Sequence, residues 1–186
     1  SSSPTIENCN IVANGVLDFS YSISKGAGVY IRSYASPVFI NCKINNNTLF
    51  KNGDVSGAGV YVENAANVTF RNCSISENEN HTKDSWDSNR GAGIYFRGWS
   101  LTIYDSEINQ NYITTSSGGS ASVYGAGIYM REGTLYMENS TVSSNKFDSE
   151  DNQYFGGIYA RDRRVEIINS TINNNSDGGI YSGSNS

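Results

Sequence analysis

A short motif that returns along the whole sequence limits the folds open to this 186-residue chain. The pentapeptide Gly26–Tyr30, Gly-Ala-Gly-Val-Tyr, recurs three times with only a Val/Ile exchange, and two looser copies read Gly-Gly-Ile-Tyr. The last residues of the six copies are Tyr30, Tyr61, Tyr95, Tyr129, Tyr159 and Tyr181. A period of about 30 residues is typical of solenoids, in which each repeat adds one layer to a stack.

A second block, Ile6–Asn14, recurs without a gap and reads apolar-x-Asn-Cys/Ser-x-Ile/Val-x-x-Asn. Its further copies start at Phe39, Phe70, Ile103, Met137 and Ile167. The first Asn column contains Asn8, Asn41, Asn72, Asp105, Asn139 and Asn169, and the last contains Asn14, Asn47, Asn78, Asn111, Asn145 and Asn175. Six copies in register indicate that both columns stack in the fold.

Each repeat contains three short segments in which apolar and polar residues alternate, and this period of two predicts strands. In one repeat they are Gly26–Ile31, Val38–Ile40 and Lys43–Asn45. Such strands are too short to be stable alone, but stacked copies form parallel sheets. We therefore predict an all-β parallel β-helix with three sheets and about five to six coils, which spans residues 1–186 as one domain.

Stacked polar columns explain how such a tube satisfies its interior. We expect an inward ladder from the first Asn column, because each amide bonds its own turn and the amide one coil away. The adjacent column contains Cys9, Cys42, Cys73, Ser106, Ser140 and Ser170. We expect these to be stacked small core residues, since in-register side chains point in parallel and suit disulfide geometry poorly.

These repeats resemble the right-handed parallel β-helices of pectate-lyase-like proteins, which share an Asn ladder between their second and third strands. The pairing of Gly-Ala-Gly-Ile-Tyr with Phe/Ile-x-Asn is similar to bacterial polymorphic outer-membrane and adhesin-type β-helix repeats. The resemblance covers nearly the whole chain and implies the fold. It leaves the function open, because this architecture is shared by lyases, hydrolases, adhesins, tailspikes and fibre proteins.

One outward face is the candidate ligand site, because the resemblance places a polysaccharide groove over the first sheet. We expect Gly26, Gly28 and their equivalents to form a flat floor there, beside a tyrosine ladder and a charged column. The ladder contains Tyr30, Tyr61, Tyr95, Tyr129, Tyr159 and Tyr181, and the charged column contains Arg32, Glu63, Arg97, Arg131 and Arg161. Phenol rings stack on sugars, and arginines bind carboxylates or sulfates. The alternative is that the tyrosines only stiffen the sheet by stacking.

Longer insertions follow the third strand at one corner, and they are expected to be loops that share one surface. They span residues 15–25, 48–56, 79–90, 112–124 and 146–155. Trp86 in these loops joins the candidate ligand residues. No cofactor is expected. Acidic loop residues offer only a weak Ca²⁺ signal at Asp148, Glu150 and Asp151, or at Asp84 and Asp87.

The sequence favours a non-catalytic extracellular or cell-surface module, structural or adhesive, with a polysaccharide or cell-surface glycan as its partner. The first alternative is a polysaccharide lyase or hydrolase that uses the same groove; Tyr with Arg would serve a metal-free lyase. The second is the subunit of a head-to-tail surface filament. The sequence begins in a second strand and ends after a first strand, so we expect a segment of a longer solenoid or an end-to-end stacking subunit.

Charge and hydropathy narrow the partners further. The net charge is −5 and no basic cluster is present, which argues against nucleic acid. No apolar run approaches the roughly 20 residues of a membrane span. If the source is eukaryotic and secreted, the sequons at Asn46, Asn67, Asn80 and Asn174 are candidate glycosylation sites. We expect those at Asn72, Asn139 and Asn169 to be inaccessible in the ladder.

Overall fold

A computed structural model describes residues 2–18, 23–82, 88–115, 122–148, 152–161 and 163–183. All of its regular structure is β-strand, and the described residues contain no helix. Every strand pairs in parallel with the equivalent strand of the next repeat. The prediction of an all-β parallel β-helix is therefore confirmed.

Two sheets correspond to the three predicted strands, because the first and second strands merge into one sheet. Sheet I contains Thr5–Glu7, Val29–Ile31, Val38–Ile40, Val60–Arg71, Ile94–Tyr104, Ile128–Glu138, Ile158–Tyr159, Arg164–Ile168 and Ile180–Tyr181. Sheet II contains Asn10–Val12, Lys43–Asn45, Ser74–Ser76, Glu107–Asn109, Thr141–Ser143 and Thr171–Asn173.

The insertions expected to be loops contain two further sheets, so the tube has four sheets instead of three. Sheet III contains Gly15–Asp18, Thr48–Lys51, Glu79–Thr82, Tyr112–Thr115 and Lys146–Asp148. Sheet IV contains Ser24–Lys25, Val55–Ser56, Asn89–Arg90, Ser122–Tyr124 and Asn152–Tyr154. Sheets III and IV each contain five stacked strands. The solenoid has about four turns, slightly fewer than the expected five to six coils.

A ladder of buried asparagines divides the interior into two lobes. The larger lobe is the apolar core between sheets I and II, and the smaller lies between sheets III and IV around residues such as Leu49 and Ile113. The ladder is formed by Asn47, Asn78, Asn111 and Asn145, all of which are completely buried. Each Nδ2 donates to the next Oδ1 at 2.9 Å and to a sheet II carbonyl. Each amide of this ladder is thus satisfied by its neighbours.

The second glycine of the pentapeptide is required by this ladder. A Cβ atom on Gly59 would lie 2.8 Å from Asn78 Nδ2 and 2.7 Å from the Gly93 carbonyl oxygen. Those distances are too short for any side chain, so the backbone approaches the ladder as only glycine allows. The first glycine has another role: Gly57 turns the corner between sheets IV and I with a φ of +65°.

The predicted ladder exists, but it uses the last Asn column instead of the first. The first column lies at the corner between sheets I and II and is exposed. Its residues have a left-handed backbone, with a φ of 50° at Asn72, for example. Asn tolerates this conformation, and the corner turns its side chain outward. These amides form a second, external ladder, in which Asn72 Nδ2 donates to Asn41 Oδ1 at 2.7 Å.

The Cys/Ser column faces the large core, as expected. Cys42 and Cys73 are buried, and all three cysteines are free thiols. The Cys73 thiol lies 3.3 Å from the Arg71 carbonyl oxygen, and the Ser106 hydroxyl donates to the equivalent carbonyl of Tyr104 at 2.6 Å. Cys and Ser therefore fill equivalent positions in successive coils.

Candidate functional site

The tyrosines stack along the outer side of sheet I, where the chain enters this sheet from sheet IV. Tyr61 and Tyr95 are parallel with ring centroids 4.6 Å apart, and Tyr95 and Tyr129 follow at 5.3 Å. The stack continues to Tyr159 at 5.7 Å and to Tyr181 at 5.0 Å. These residues alternate along each strand with core residues, so the rings project away from the main core.

These rings are nevertheless largely buried. Tyr61 is 5 % exposed and Tyr95 4 % exposed, whereas Tyr30 at one end of the column is 44 % exposed. Their faces cover one another, so the expected stacking of sugars on ring faces is wrong for the middle of the column. At the exposed end of the column, Tyr30 and the exposed Arg32 beside it remain accessible to a ligand. The expected glycine floor is also wrong, because Gly59 and its equivalents turn toward the interior ladder.

Side chains from sheet IV provide the rest of the cover. The last residues of the five sheet IV strands align in register and form a column of their own: Lys25, Ser56, Arg90, Tyr124 and Tyr154. Tyr124 contacts Tyr159 at a centroid distance of 4.9 Å, and Arg90 lies 5.9 Å from the Tyr129 centroid. Sequence reasoning missed this column. The sequence could have revealed this column, because each of its members lies the same number of residues before the repeated Gly-Ile/Val-Tyr.

At the N-terminal end of the face, one carboxylate is neutralised by its neighbours. Lys25 Nζ donates to Glu63 Oε2 at 2.8 Å, and the Tyr30 hydroxyl donates to Glu63 Oε1. These two bonds lower the pKa of Glu63. In return, the hydrogen bond to Glu63 raises the pKa of Tyr30. Burial, followed by the charges of Tyr95 and Glu63, raises the pKa of Tyr61.

The expected charged column is continuous only in part. Arg97 Nε donates to Glu132 Oε1 at 2.8 Å, because the strand register shifts between Phe96 and Arg97. That shift places Met130 opposite Phe96 and Glu132 opposite Arg97, so Arg131 is an extra residue without a paired residue across the sheet. Such a bulge redirects a side chain. Arg131 accordingly interacts with the Tyr95 side chain, which raises the pKa of Arg131.

Four arginines line a polar cavity of about 250 Å³ at the C-terminal half of the face. We call it the arginine pocket, and it is lined by Arg90, Tyr124, Tyr129, Met130, Arg131, Tyr159, Arg161 and Arg163. Arg163 Nε donates to the Arg131 carbonyl oxygen at 2.7 Å. Among the described residues that line this pocket, none is acidic. Sequence reasoning predicted Arg131 and Arg161 here but missed Arg90 and Arg163.

Two phenols of this pocket, those of Tyr129 and Tyr159, remain protonated at neutral pH. Burial raises the pKa of Tyr129, although the charges of Arg90 and Arg131 act in the opposite direction. Burial also raises the pKa of Tyr159, against the charge of Arg161. Protonated phenols and guanidinium groups are all hydrogen-bond donors, so the pocket is built to receive acceptors, and negatively charged ones above all.

A larger groove of about 530 Å³ follows the external amide ladder between sheets I and II. Its lining combines amides such as Asn72 with the oppositely charged Lys43 and Glu107. Because its charges are mixed, its chemistry is less specific than that of the arginine pocket.

The structure differs from the sequence analysis in which sequons are exposed and which are buried. Asn46, Asn67 and Asn174 are exposed, as expected. Asn80 is completely buried in sheet III, where its side chain bonds the Ala58 N–H and the Arg90 carbonyl oxygen, so this expectation is wrong. The sequons expected to be inaccessible, Asn72, Asn139 and Asn169, are exposed because the first Asn column points outward.

Other expected sites fall partly outside the described residues. Trp86 lies there, as do Asp84, Asp87, Glu150 and Asp151, while Asp148 is exposed at the end of sheet III. Within the described ranges, no group of three or more His, Cys, Asp or Glu side chains is arranged to hold a metal ion. Nor does this part of the chain contain a helix long and apolar enough to cross a membrane.

Comparison with known proteins agrees with this architecture. Neither the curated proteins nor the solved structures gave a match. A family profile described as a right-handed β-helix region matches residues 1–149, which is most of the chain. Given this match and the parallel coils described above, the chain belongs to the right-handed β-helix family.

Proposed function

We propose that this chain is a non-catalytic extracellular module, structural or adhesive, that binds a glycan along the outer Tyr/Arg face of sheet I. One observation carries the proposal: hydroxyl groups and guanidinium groups line one face through successive coils. Glycans present hydroxyl and carboxylate oxygens at regular intervals, so a repetitive row of donors matches a repetitive ligand.

The site chemistry favours binding over catalysis. Two carboxylates beside the tyrosine column, Glu63 and Glu132, are ion-paired at 2.8 Å with Lys25 and Arg97, respectively. A hydrolase needs a free pair of carboxylates, one of which is a proton donor with a raised pKa. The pKa of Glu63 is instead lowered.

The test exposes the chain to an array of immobilised polysaccharides and assays the same solutions for unsaturated uronates and for new reducing ends. Binding without product supports the module. Release of product would make the chain an enzyme, and the absence of binding to every polysaccharide would overturn the proposal.

Charge reversal locates the binding face. The double variant Arg32→Glu/Arg131→Glu should lose binding, because both side chains are exposed on this face. The matched control is Lys43→Glu, an exposed cation on sheet II, which should bind as the unmodified chain does. Equal loss in both variants would place the ligand elsewhere.

A further inference from the structure

Sheet II is bordered on both long edges by exposed asparagines of the Asn-x-Ser/Thr motif, the acceptor motif of N-linked glycosylation. The sequence contains seven such motifs, and in all but that of the buried Asn80 the asparagine is exposed. Five of the six exposed residues lie at the corners that sheet II makes with sheets I and III: Asn46, Asn72, Asn139, Asn169 and Asn174. Three of these belong to the external ladder.

We propose that Asn72, Asn139 and Asn169 are acceptors for N-linked glycans along the corner between sheets I and II. This inference rests on the extracellular location in the proposed function, because these glycans are added to chains that enter a secretory pathway. In the transfer, the side-chain nitrogen bonds the anomeric carbon of a polyprenyl-diphosphate-linked oligosaccharide. The anomeric C–O bond breaks, the polyprenyl diphosphate leaves with the bonding electrons, and the nitrogen loses one proton to the medium.

The external amides can lose this proton without losing their ladder bonds. Asn72 Nδ2 donates one hydrogen bond to the described residues, at 2.7 Å to Asn41 Oδ1. An Asn side chain has two N–H donors, so the one that remains after modification suffices for this bond. Asn78 in the buried ladder differs, because its Nδ2 already donates to both Asn111 Oδ1 and the Ile44 carbonyl oxygen.

The corner also has room for a glycan. The left-handed φ values of Asn72, Asn139 and Asn169, which are 50°, 49° and 48°, turn the side chains outward. An open groove of about 530 Å³ lies beside the first two. Because the transferase acts on a chain before it folds, the folded chain must only accommodate the sugar. Asn80 is completely buried and offers no such space, so we expect it to be unmodified in folded molecules.

The coil spacing limits how many glycans the ladder holds. Asn139 and Asn169 lie on neighbouring coils, and paired strands are about 4.8 Å apart. Two glycans at that spacing would compete for the same space, so we expect folded molecules to carry one glycan on this pair. Asn72 is two coils away from Asn139 and should be modified independently of it.

Glycans on the ladder would leave the Tyr/Arg face open. Tyr129 is the second residue of the strand Ile128–Glu138, and Asn139 directly follows the last residue. The two side chains therefore lie at opposite ends of one strand. Modification of the ladder is thus compatible with a ligand on the face of the proposed function.

The first experiment maps the modified sites in the chain purified from its native cells. Peptide N-glycosidase in heavy-oxygen water converts each glycosylated asparagine to a labelled aspartate, which tandem mass spectrometry locates. We expect label at Asn72 and at either Asn139 or Asn169, and none at Asn80. An unmodified Asn72, or an unmodified Asn139/Asn169 pair, in molecules that are labelled at Asn46 would overturn the assignment.

Variants secreted from a eukaryotic host test the ladder position itself. Asn72→Gly suits the left-handed backbone and should lose one glycan from the intact mass. Lys43→Thr completes a motif at Asn41, the neighbouring residue of the ladder, so the double variant Lys43→Thr/Asn72→Gly should regain that glycan. The matched control is Asn41→Gly, which removes an exposed ladder amide outside any motif and should leave the glycan count unchanged. A double variant that stays one glycan short would contradict the proposal.

The outcomes separate this inference from the function on which it rests. Glycans at Asn46 and Asn174 with none on the ladder would overturn the ladder sites and leave the extracellular location intact. The absence of glycans from every motif of the native chain would overturn the inference, whereas the polysaccharide array would still decide the binding function. Failure to bind any polysaccharide would overturn that function, and label on the ladder would still support the acceptor sites.

Discussion

Asn78 Nδ2 lies 2.9 Å from Asn111 Oδ1, one coil further along the tube, and donates a hydrogen bond to it. The same side chain donates to the Ile44 carbonyl and accepts from both the backbone and side-chain nitrogens of Asn47. Because the position is completely buried, no water is at hand to replace these bonds. The coils are therefore joined along the axis by side chains as well as by sheet hydrogen bonds.

Loss of one rung of this ladder should be costly. We expect Asn78→Ala to lower the free energy of unfolding by about 3–5 kcal/mol, because it leaves buried donors of Asn47 without a partner. Urea denaturation provides the measurement. The control is Asn72→Gly on the external ladder, which removes an exposed amide without straining a left-handed backbone and should cost less than about 1 kcal/mol. Equal losses would mean that the internal ladder is not specially stabilising.

A related prediction concerns Gly59, the glycine beside this ladder. Gly59→Ala should destabilise the chain by about 2–4 kcal/mol, since its Cβ would lie 2.7 Å from the Gly93 oxygen and 2.8 Å from Asn78 Nδ2. Gly15→Ala is the matched control: a Cβ there meets nothing within 4 Å, and reduced freedom of the unfolded chain should leave stability unchanged or slightly raised. A tolerated Gly59→Ala would contradict the close approach.

The repeat predicted more of the fold than of the site, for physical reasons that particular residues make clear. Val38–Ile40 and Lys43–Asn45 were predicted as strands because their apolar residues alternate, and the structure has these bounds. Sheet III was missed because its inward column mixes Leu49 and Ile113 with the polar Asn80, which hides the alternation. Its signal was that each of its five strands begins directly after the last Asn of a block.

Side-chain direction at corners was the other limit. Alternation does not extend through a residue such as Asn139, whose φ of 49° turns its side chain to the outside. The arginine pocket was out of reach for a similar reason, since Arg131 depends on a register shift and Arg90 comes from the missed sheet IV. Positions set by the repeat were thus predictable, and positions set by its irregularities were not.

The ion pair at the N-terminal end of the face should make stability depend on pH. The bonds from Lys25 and Tyr30 lower the pKa of Glu63 in the folded chain, so this stabilisation is complete above the unfolded value of about 4.3. It disappears as the pH falls through the lower folded-state value. Wild type should therefore exceed Glu63→Gln in unfolding free energy at neutral pH, and the difference should vanish in acid. A difference that persists unchanged in acid would contradict this role of Glu63.

The free thiols allow a last prediction, on the equivalence of Cys and Ser in their shared column. Cys73→Ser should change stability by less than about 1 kcal/mol, because a serine hydroxyl can donate to the Arg71 carbonyl as Ser106 donates to that of Tyr104. Cys73→Leu should destabilise by about 1–3 kcal/mol, since the added methyl groups have no space in the core.

Burial also raises the pKa of the Cys73 thiol. Thiol reagents should therefore label the half-buried Cys9 well before Cys73 in the native chain, and early labelling of Cys73 would place this column outside the core.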